Sequence, residues 1–145
     1  MLKNIDPILS PELLAHLRAM GHGDEVAIVD ANFPAQRVAQ RLVRLDGVSS
    51  THVLTAVLSL LPLDTYVDAA AHVMQVVGSE DAPPIANEYR DIVVKQSGSA
   101  FGQLGKIERH AFYERAARSY LVIATGETKL YGNVILTKGV IPPAN

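Results

Sequence analysis

Residues 21–34 read Gly-His-Gly-Asp-Glu-Val-Ala-Ile-Val-Asp-Ala-Asn-Phe-Pro, and the rest of the chain is organised around this segment. Its short apolar run, Val26–Val29, is rich in β-branched residues and predicts a buried strand. His22 precedes the run between two glycines, which leave room for a ligand to approach. Histidine is the side chain best suited to proton transfer near neutral pH. The segment thus predicts a strand with a candidate acid/base at one end and a carboxylate, Asp30, at the other.

Composition limits the classes of protein that the chain can belong to. It has 145 residues, of which 48% are hydrophobic and 19% are charged, so we expect one folded domain spanning residues 1–145. The apolar content favours an oligomer, because interfaces hide apolar surface. The net charge is −2 and there is no basic block, which argues against a nucleic-acid partner.

The sequence also lacks several signals. There are no cysteines, which excludes disulfides, thiolate metal sites and a cysteine nucleophile. The first residues contain no signal-peptide apolar region, and no apolar run approaches the roughly 18 residues that a transmembrane helix needs. We therefore expect a cytoplasmic protein with no membrane partner.

Periodicity along the chain predicts helices alternating with strands. Ser10 and Pro11 are typical of a helix start, and Gly21 of the position after a helix end. Further helices are predicted to begin after Pro34, at Ser49 or Ser50, near Ile85 and near Ala111. Further strands are predicted at 42–45, 72–77, 106–109, 120–124 and 133–137. This alternation predicts an α/β fold, a layered α/β/α domain with a mainly parallel sheet.

Several segments, in order along essentially the whole chain, resemble the ribose pyranase and fucose mutarotase family, and its fucose mutarotase branch most closely. The resemblance is carried by the ordered set more than by any single motif. The matching segments are residues 1–3, 8–14, 20–25, 30–35, 109–116, 125–127, 131–136 and 138–140.

The resemblance implies roles for particular residues. His22 occupies the position of the family's proton donor, and the sugar contacts would come from Asp30, Arg109 and the triplet Tyr131-Gly132-Asn133. The ribose branch tends to carry a histidine near Arg109 and an alanine at Gly132, so these two residues favour a fucose-like substrate. The family also implies a homo-oligomeric ring, a decamer in its known members.

The implied reaction is mutarotation, in which a sugar ring opens at the anomeric carbon and recloses on the other face. A base takes the anomeric hydroxyl proton while an acid protonates the ring oxygen, so neither a cofactor nor a metal is expected. In an extended chain, His22 and Asp30 would lie roughly 26 Å apart at about 3.3 Å per residue. Either the glycines fold His22 back over the sheet, or neighbouring subunits share the pocket.

Three alternatives remain at this point. The first is a non-catalytic monosaccharide-binding or regulatory protein on the same scaffold, and the second is a D-ribose pyranase-type activity. The third, a metal-dependent isomerase or lyase, is disfavoured because no ligand-spaced His, Asp or Glu cluster is evident. The remaining histidines are interpreted as structural, and Glu114 and Glu127 as ordinary charges on a helix face and in a turn.

Overall fold

A six-stranded sheet forms the centre of the computed structural model, which describes residues 1–144. The strands are β1 (Glu25–Val29), β2 (Leu42–Leu45), β3 (Ala71–Met74), β4 (Gly105–Ile107), β5 (Leu121–Thr125) and β6 (Val134–Thr137). Their order across the sheet is β2-β5-β1-β6-β3-β4, so β1 and β6 are the two central strands that carry the predicted site segments.

The sheet is mixed, with one strand reversed. The pairs β1–β5, β2–β5 and β3–β4 are parallel, whereas β6 runs antiparallel to both β1 and β3. The reversal follows from the connection: residues 126–133 join β5 to β6 without the crossover helix that a parallel neighbour requires. The predicted mainly parallel sheet is therefore confirmed for three of the five strand pairs and corrected at β6.

Five helices cover both faces of this sheet and give the predicted layered α/β/α arrangement. They are α1 (Pro11–Ala19), α2 (Ala35–Val38), α3 (Ser50–Leu58), α4 (Ile85–Ser97) and α5 (Arg109–Arg118). Side chains of α1, α3 and α4 share one apolar core with the sheet, and those of α2 and α5 share a second.

Strand β1 shows how the two cores are separated. Val26 and Ile28 point into the first core, Ala27 and Val29 into the second, and all four are fully buried. Because both faces of β1 are covered by helices, polar side chains reach open space only beyond its two ends. His22 lies before one end and Asp30 follows the other.

Helices α1, α3 and α5 begin after residues whose side chains cap them, and the cap of α5 was not predicted. The hydroxyls of Ser10 and Ser49 accept hydrogen bonds from backbone N–H groups of α1 and α3, as predicted. The strand predicted at 106–109 ends at Ile107, however. The carboxylate of Glu108 caps the next helix by accepting from the N–H groups of His110 and Ala111, so Arg109 is the first residue of α5.

Candidate functional site

Asp30 and Asn133 form a reciprocal pair at the carboxyl end of β1. Because β6 is antiparallel to β1, the residue before β6 lies beside the residue after β1. The Asn133 side-chain amide donates to Asp30 Oδ2 at 3.0 Å, and its oxygen accepts from the Asp30 backbone N–H at 2.9 Å. Asp30 is 7% exposed and Asn133 is 3% exposed, so the pair is almost fully removed from solvent.

Burial raises the pKa of Asp30 above its ordinary value, although hydrogen bonds from the Asn32 N–H and the Asn133 amide oppose the shift. The Asn32 N–H donates to Asp30 Oδ1 at 2.9 Å. A carboxylate held in this way keeps lone pairs free to accept further donors, such as the hydroxyl groups of a sugar.

A cavity of about 200 Å³ opens over this pair. Its lining combines polar side chains with aromatic and apolar ones. A concave site with few polar groups on an apolar background is typical of small-molecule pockets. The lining residues are Asp30, Asn32, Phe33, Met74, Arg109, Tyr113, Leu130, Tyr131 and Asn133.

Arg109 enters this cavity from the start of α5. Its guanidinium carbon lies 5.7 Å from the centre of the Tyr113 ring, which is one helical turn further along. Its Nε is buried and has no hydrogen-bond partner within residues 1–144. The arginine therefore brings a fixed positive charge and an uncommitted donor to the pocket.

The triplet Tyr131-Gly132-Asn133 contributes Tyr131 and Asn133 to the cavity lining. Tyr131 adopts a left-handed backbone conformation (φ 58°), and its hydroxyl accepts the Val77 N–H at 3.4 Å. A Cβ added to Gly132 would lie 2.7 Å from Glu127 Cγ and 3.0 Å from the Lys129 carbonyl oxygen. A glycine is therefore needed for the close approach that presents Tyr131 and Asn133 to the cavity.

His22 lies beyond the other end of β1. Its Nε2 is 3.1 Å from Asp64 Oδ1, and its ring centre is 5.7 Å from that of Tyr66. Asp64 is 4% exposed, whereas the His22 side chain is 46% exposed. The Tyr66 N–H donates to Asp64 Oδ1 at 3.1 Å, and this bond, together with His22, holds the pKa of Asp64 below its ordinary value.

His22 and Asp30 lie at opposite ends of β1 and stay apart within one chain. Strand β1, about 13 Å long at the usual rise per residue, lies between them. The cavity over Asp30 shares no lining residue with the second cavity, of about 560 Å³, which includes Gly23, Asp64 and Tyr66 in its wall. The structure thus brings together every predicted sugar contact and leaves His22 elsewhere, and the idea that the glycines fold His22 over the sheet is wrong.

Sequence reasoning missed several residues at these two places, among them Phe33, Asp64, Met74 and Tyr113. Asp64 lies 42 residues after His22, and no local pattern links them. Tyr113 had a usable signal, since it follows Arg109 by four residues on a predicted helix and must share its face. Phe33 and Met74 are buried apolar residues that sequence alone cannot separate from ordinary core.

The described part of the chain offers neither a cluster of metal-ligating side chains nor a helix that could span a bilayer. Within residues 1–144, no group of three or more His, Cys, Asp or Glu side chains is placed to hold a metal ion. The helices in the same range include none that is both long and apolar enough to cross a bilayer.

Comparison with known proteins gives consistent results. The chain is 48% identical over 147 residues to the fucose mutarotase of Homo sapiens, covering 97% of this chain and 94% of that protein. It is 42% identical over 142 residues to the L-fucose mutarotase of Histophilus somni strain 2336, covering 98% and 99%.

The fold is also found in solved structures. The crystal structure of the fucose mutarotase from Streptococcus pneumoniae in complex with L-fucose superposes with a TM-score of 0.90. It is 43% identical and covers 97% of this chain and 100% of that one. A family model described as the RbsD / FucU transport protein family matches residues 3–141. Fold, site segments and sequence together establish that this chain belongs to the RbsD/FucU family.

Proposed function

We propose that this protein is a sugar mutarotase that interconverts the anomers of L-fucose, with His22 as the acid/base. The observation that carries the proposal is a cavity lined by both the Asp30–Asn133 pair and Arg109, whose Nε has no hydrogen-bond partner within residues 1–144. Relatives named fucose mutarotase at 42–48% identity, and a solved relative holding L-fucose, support the choice of sugar. Arg109 and Gly132 also favour fucose over ribose.

The cavity supplies complementary groups for a polyhydroxylated ligand. Asp30 can accept hydrogen bonds from sugar hydroxyl groups, Arg109 can donate them, and the Tyr131 hydroxyl can donate its proton to a further sugar oxygen. Phe33 and Met74 add apolar surface to the same lining. These groups bind and orient the sugar, so that the anomeric carbon stays open towards the acid/base.

His22 and Asp64 account for the proton transfers. An ionised carboxylate can only accept, so the Nε2 atom that faces Asp64 at 3.1 Å carries the proton. Nδ1 is then free to take the anomeric hydroxyl proton, and the imidazolium formed is stabilised by Asp64. The imidazolium passes this proton to the ring oxygen as the bond between that oxygen and the anomeric carbon breaks, which leaves the open-chain aldehyde and a neutral imidazole. Reclosure of the ring on the opposite face reverses these transfers. A positioned proton transfer of this kind contributes roughly 10²–10⁴-fold in rate.

Because the two ends of β1 are separate, we extend the proposal to a site shared between subunits, in which His22 of one chain meets the Asp30 cavity of its neighbour. The half-exposed imidazole and the exposed apolar side chains of Leu2, Leu60 and Ile141 favour such an assembly. The proposed assembly is a homo-oligomeric ring, a decamer by the family resemblance, working in the cytoplasm.

Exchange NMR on the anomeric protons of L-fucose, with D-ribose alongside, tests the activity. We expect the native protein to accelerate L-fucose anomer exchange more than ribose exchange. His22→Ala should abolish the acceleration while L-fucose still binds. Binding without acceleration by the native protein would instead indicate the non-catalytic sugar-binding alternative, and faster ribose exchange would indicate a ribose pyranase-type activity.

Mixing two inactive variants tests the shared site. His22→Ala retains an intact Asp30 cavity, and Arg109→Ala retains an intact His22. In randomly mixed oligomers, about a quarter of shared sites would combine the two intact halves, so activity should return to about a quarter of the native value. A site built within one chain would show no recovery on mixing.

A further inference from the structure

A buried carboxylate that the proposed mechanism does not use lies directly behind the sugar cavity. Glu127 follows β5 in the connection to β6 and is only 6% exposed. The sequence suggests nothing more than a charge in a turn. Because a buried charge is costly unless it is fully hydrogen-bonded, its partners indicate what it does.

The Glu127 carboxylate uses both oxygens to bind different parts of the chain. Oε2 accepts from the Ser50 hydroxyl at 2.9 Å and from the Ser50 backbone N–H at 3.3 Å, at the start of α3. Oε1 accepts the Lys129 backbone N–H at 3.0 Å. Glu127 thereby joins the β5–β6 connection to a helix on one face of the sheet.

Tyr89 of α4 completes the network, with its hydroxyl 2.7 Å from Ser50 Oγ. Ser50 has a single hydroxyl proton and gives it to the carboxylate, so Tyr89 must donate to Ser50. Burial raises the pKa of Tyr89, which keeps the phenol protonated for this role. Burial of Glu127 acts to raise its pKa, but hydrogen bonds from Lys129 and Ser50 outweigh burial and lower it.

Glu127 also touches both segments that carry the sugar contacts. Its backbone carbonyl accepts the N–H of Ala31, the residue after Asp30, at 2.9 Å. Its Cγ fills the space where a Cβ on Gly132 would lie, at 2.7 Å. The same residue therefore fixes the backbone beside Asp30 and the backbone between Tyr131 and Asn133.

We infer that Glu127 is a positioning residue for sugar binding. Supported by Ser50 and Tyr89, it holds the loop after β1 and the loop before β6 in the relative position that lets Asp30 and Asn133 bind the sugar. This inference rests on the proposed function. Glu127 lies behind the cavity wall and is absent from its lining, so we expect no direct contact with the sugar.

Glu127→Gln is the informative substitution, because it keeps the shape of the side chain. A glutamine has one acceptor oxygen, whereas Glu127 accepts on both sides. Its NH₂ group must therefore face either the Lys129 N–H or the donors of Ser50, and one anchor is lost. Loosened loops should raise both the KM and the Kd for L-fucose about tenfold, with kcat falling less than threefold, because His22 is not held by this network.

Variants with progressively smaller expected effects distinguish a positioning role of Glu127 from a general loss of folded protein. Ser50→Ala removes one of the two bonds to Oε2 and should raise KM to a smaller extent. Tyr89→Phe leaves the Glu127–Ser50 contact in place and should stay within about twofold of native KM. Glu114→Gln makes the same chemical change on the exposed face of α5 and should have native KM and kcat.

Steady-state anomer exchange and L-fucose titration by NMR would be measured on all variants. A simple loss of folded protein lowers apparent kcat with KM unchanged, and that pattern in Glu127→Gln would overturn the inference, as would native KM and Kd. If Glu127→Gln fails to fold, Ser50→Ala decides by the same criterion. Absence of sugar binding and exchange in the native protein would instead refute the proposed function.

Discussion

Asn133 bonds to Asp30 through both ends of its amide, donating to the carboxylate and accepting from the backbone of the same residue. This arrangement fixes the orientation of the amide without ambiguity. It also makes the loop after β1 and the loop before β6 dependent on each other, although 103 residues separate them in the chain.

Asn133→Ala should destabilise the protein. It leaves the buried Asp30 N–H without an acceptor and removes one hydrogen bond from the carboxylate, which should lower the free energy of unfolding by about 1–3 kcal/mol. Urea denaturation measures this. Asn32→Ala is the matched control, because its exposed side chain is lost while its backbone bond to Asp30 remains. Equal stability of the two variants would contradict the role given to Asn133.

Sugar binding should weaken as the pH falls. In the proposed site, Asp30 must be ionised to accept hydrogen bonds from sugar hydroxyl groups, and burial raises the pKa of Asp30 above the ordinary value of 3.8. Titrations of L-fucose at a series of pH values should thus show affinity falling as the pH drops through a midpoint above 3.8.

The raised pKa of Asp30 also determines how its contribution to the free energy of unfolding changes with pH. Because the folded protein binds the Asp30 proton more tightly than the unfolded chain, this residue's contribution to the free energy of unfolding falls as the pH rises from 3.8 through the raised pKa. In Asn133→Ala, a bond that lowers the Asp30 pKa is lost, so the binding midpoint should move to higher pH. A midpoint unchanged in that variant would argue that another group controls the profile.

Gly132→Ala should cost stability and affinity together. The added methyl would lie 2.7 Å from Glu127 Cγ and 3.0 Å from the Lys129 carbonyl, so the loop must shift, at about 1–3 kcal/mol. Gly47→Ala makes the same change where nothing lies within 4 Å and should be neutral. Thermal unfolding and L-fucose titration on the pair would check this, and a native affinity in Gly132→Ala would show that the triplet tolerates movement.

Asp64→Asn should reduce turnover and leave sugar affinity intact. The amide can still hydrogen-bond to His22, but it no longer stabilises the imidazolium, so we expect kcat to fall by roughly 10-fold or more. Asp68→Asn, an exposed residue of the same loop, is the control. Anomer-exchange kinetics separate kcat from KM, and a rise in KM alone would place Asp64 among the binding groups.

Much of the fold is encoded in local patterns. The β-branched run at 26–29 predicts β1 because such side chains suit a strand buried on both faces, and Ser10 and Ser49 predict helix starts because their hydroxyls satisfy free N–H groups. The direction of β6 was not predictable in this way. It depends on which strand the 126–133 connection reaches, and this is a property of the sheet as a whole.

The candidate site also contains residues that the sequence predicts and residues that it does not. Asp30, Arg109, Tyr131, Gly132 and Asn133 were predicted through a resemblance and lie together, but the strand assigned to Arg109 was wrong because Glu108 was not recognised as a helix cap. Asp64 has no local signal, since its partner His22 is brought to it only by the folded sheet. The role of His22 itself stays a prediction.

If the active site is shared between subunits, the placement of His22 and Asp30 at opposite ends of β1 makes the rate per chain depend on the protein concentration. If one turnover needs both groups, a single chain in isolation holds half of what is required, and dilution acts as an inhibitor. Activity per chain should then fall with dilution below the dissociation constant of the assembly, and added protein should restore it. Such an enzyme would lose activity when its own concentration is low, without an effector and without a change in the conformation of the chain.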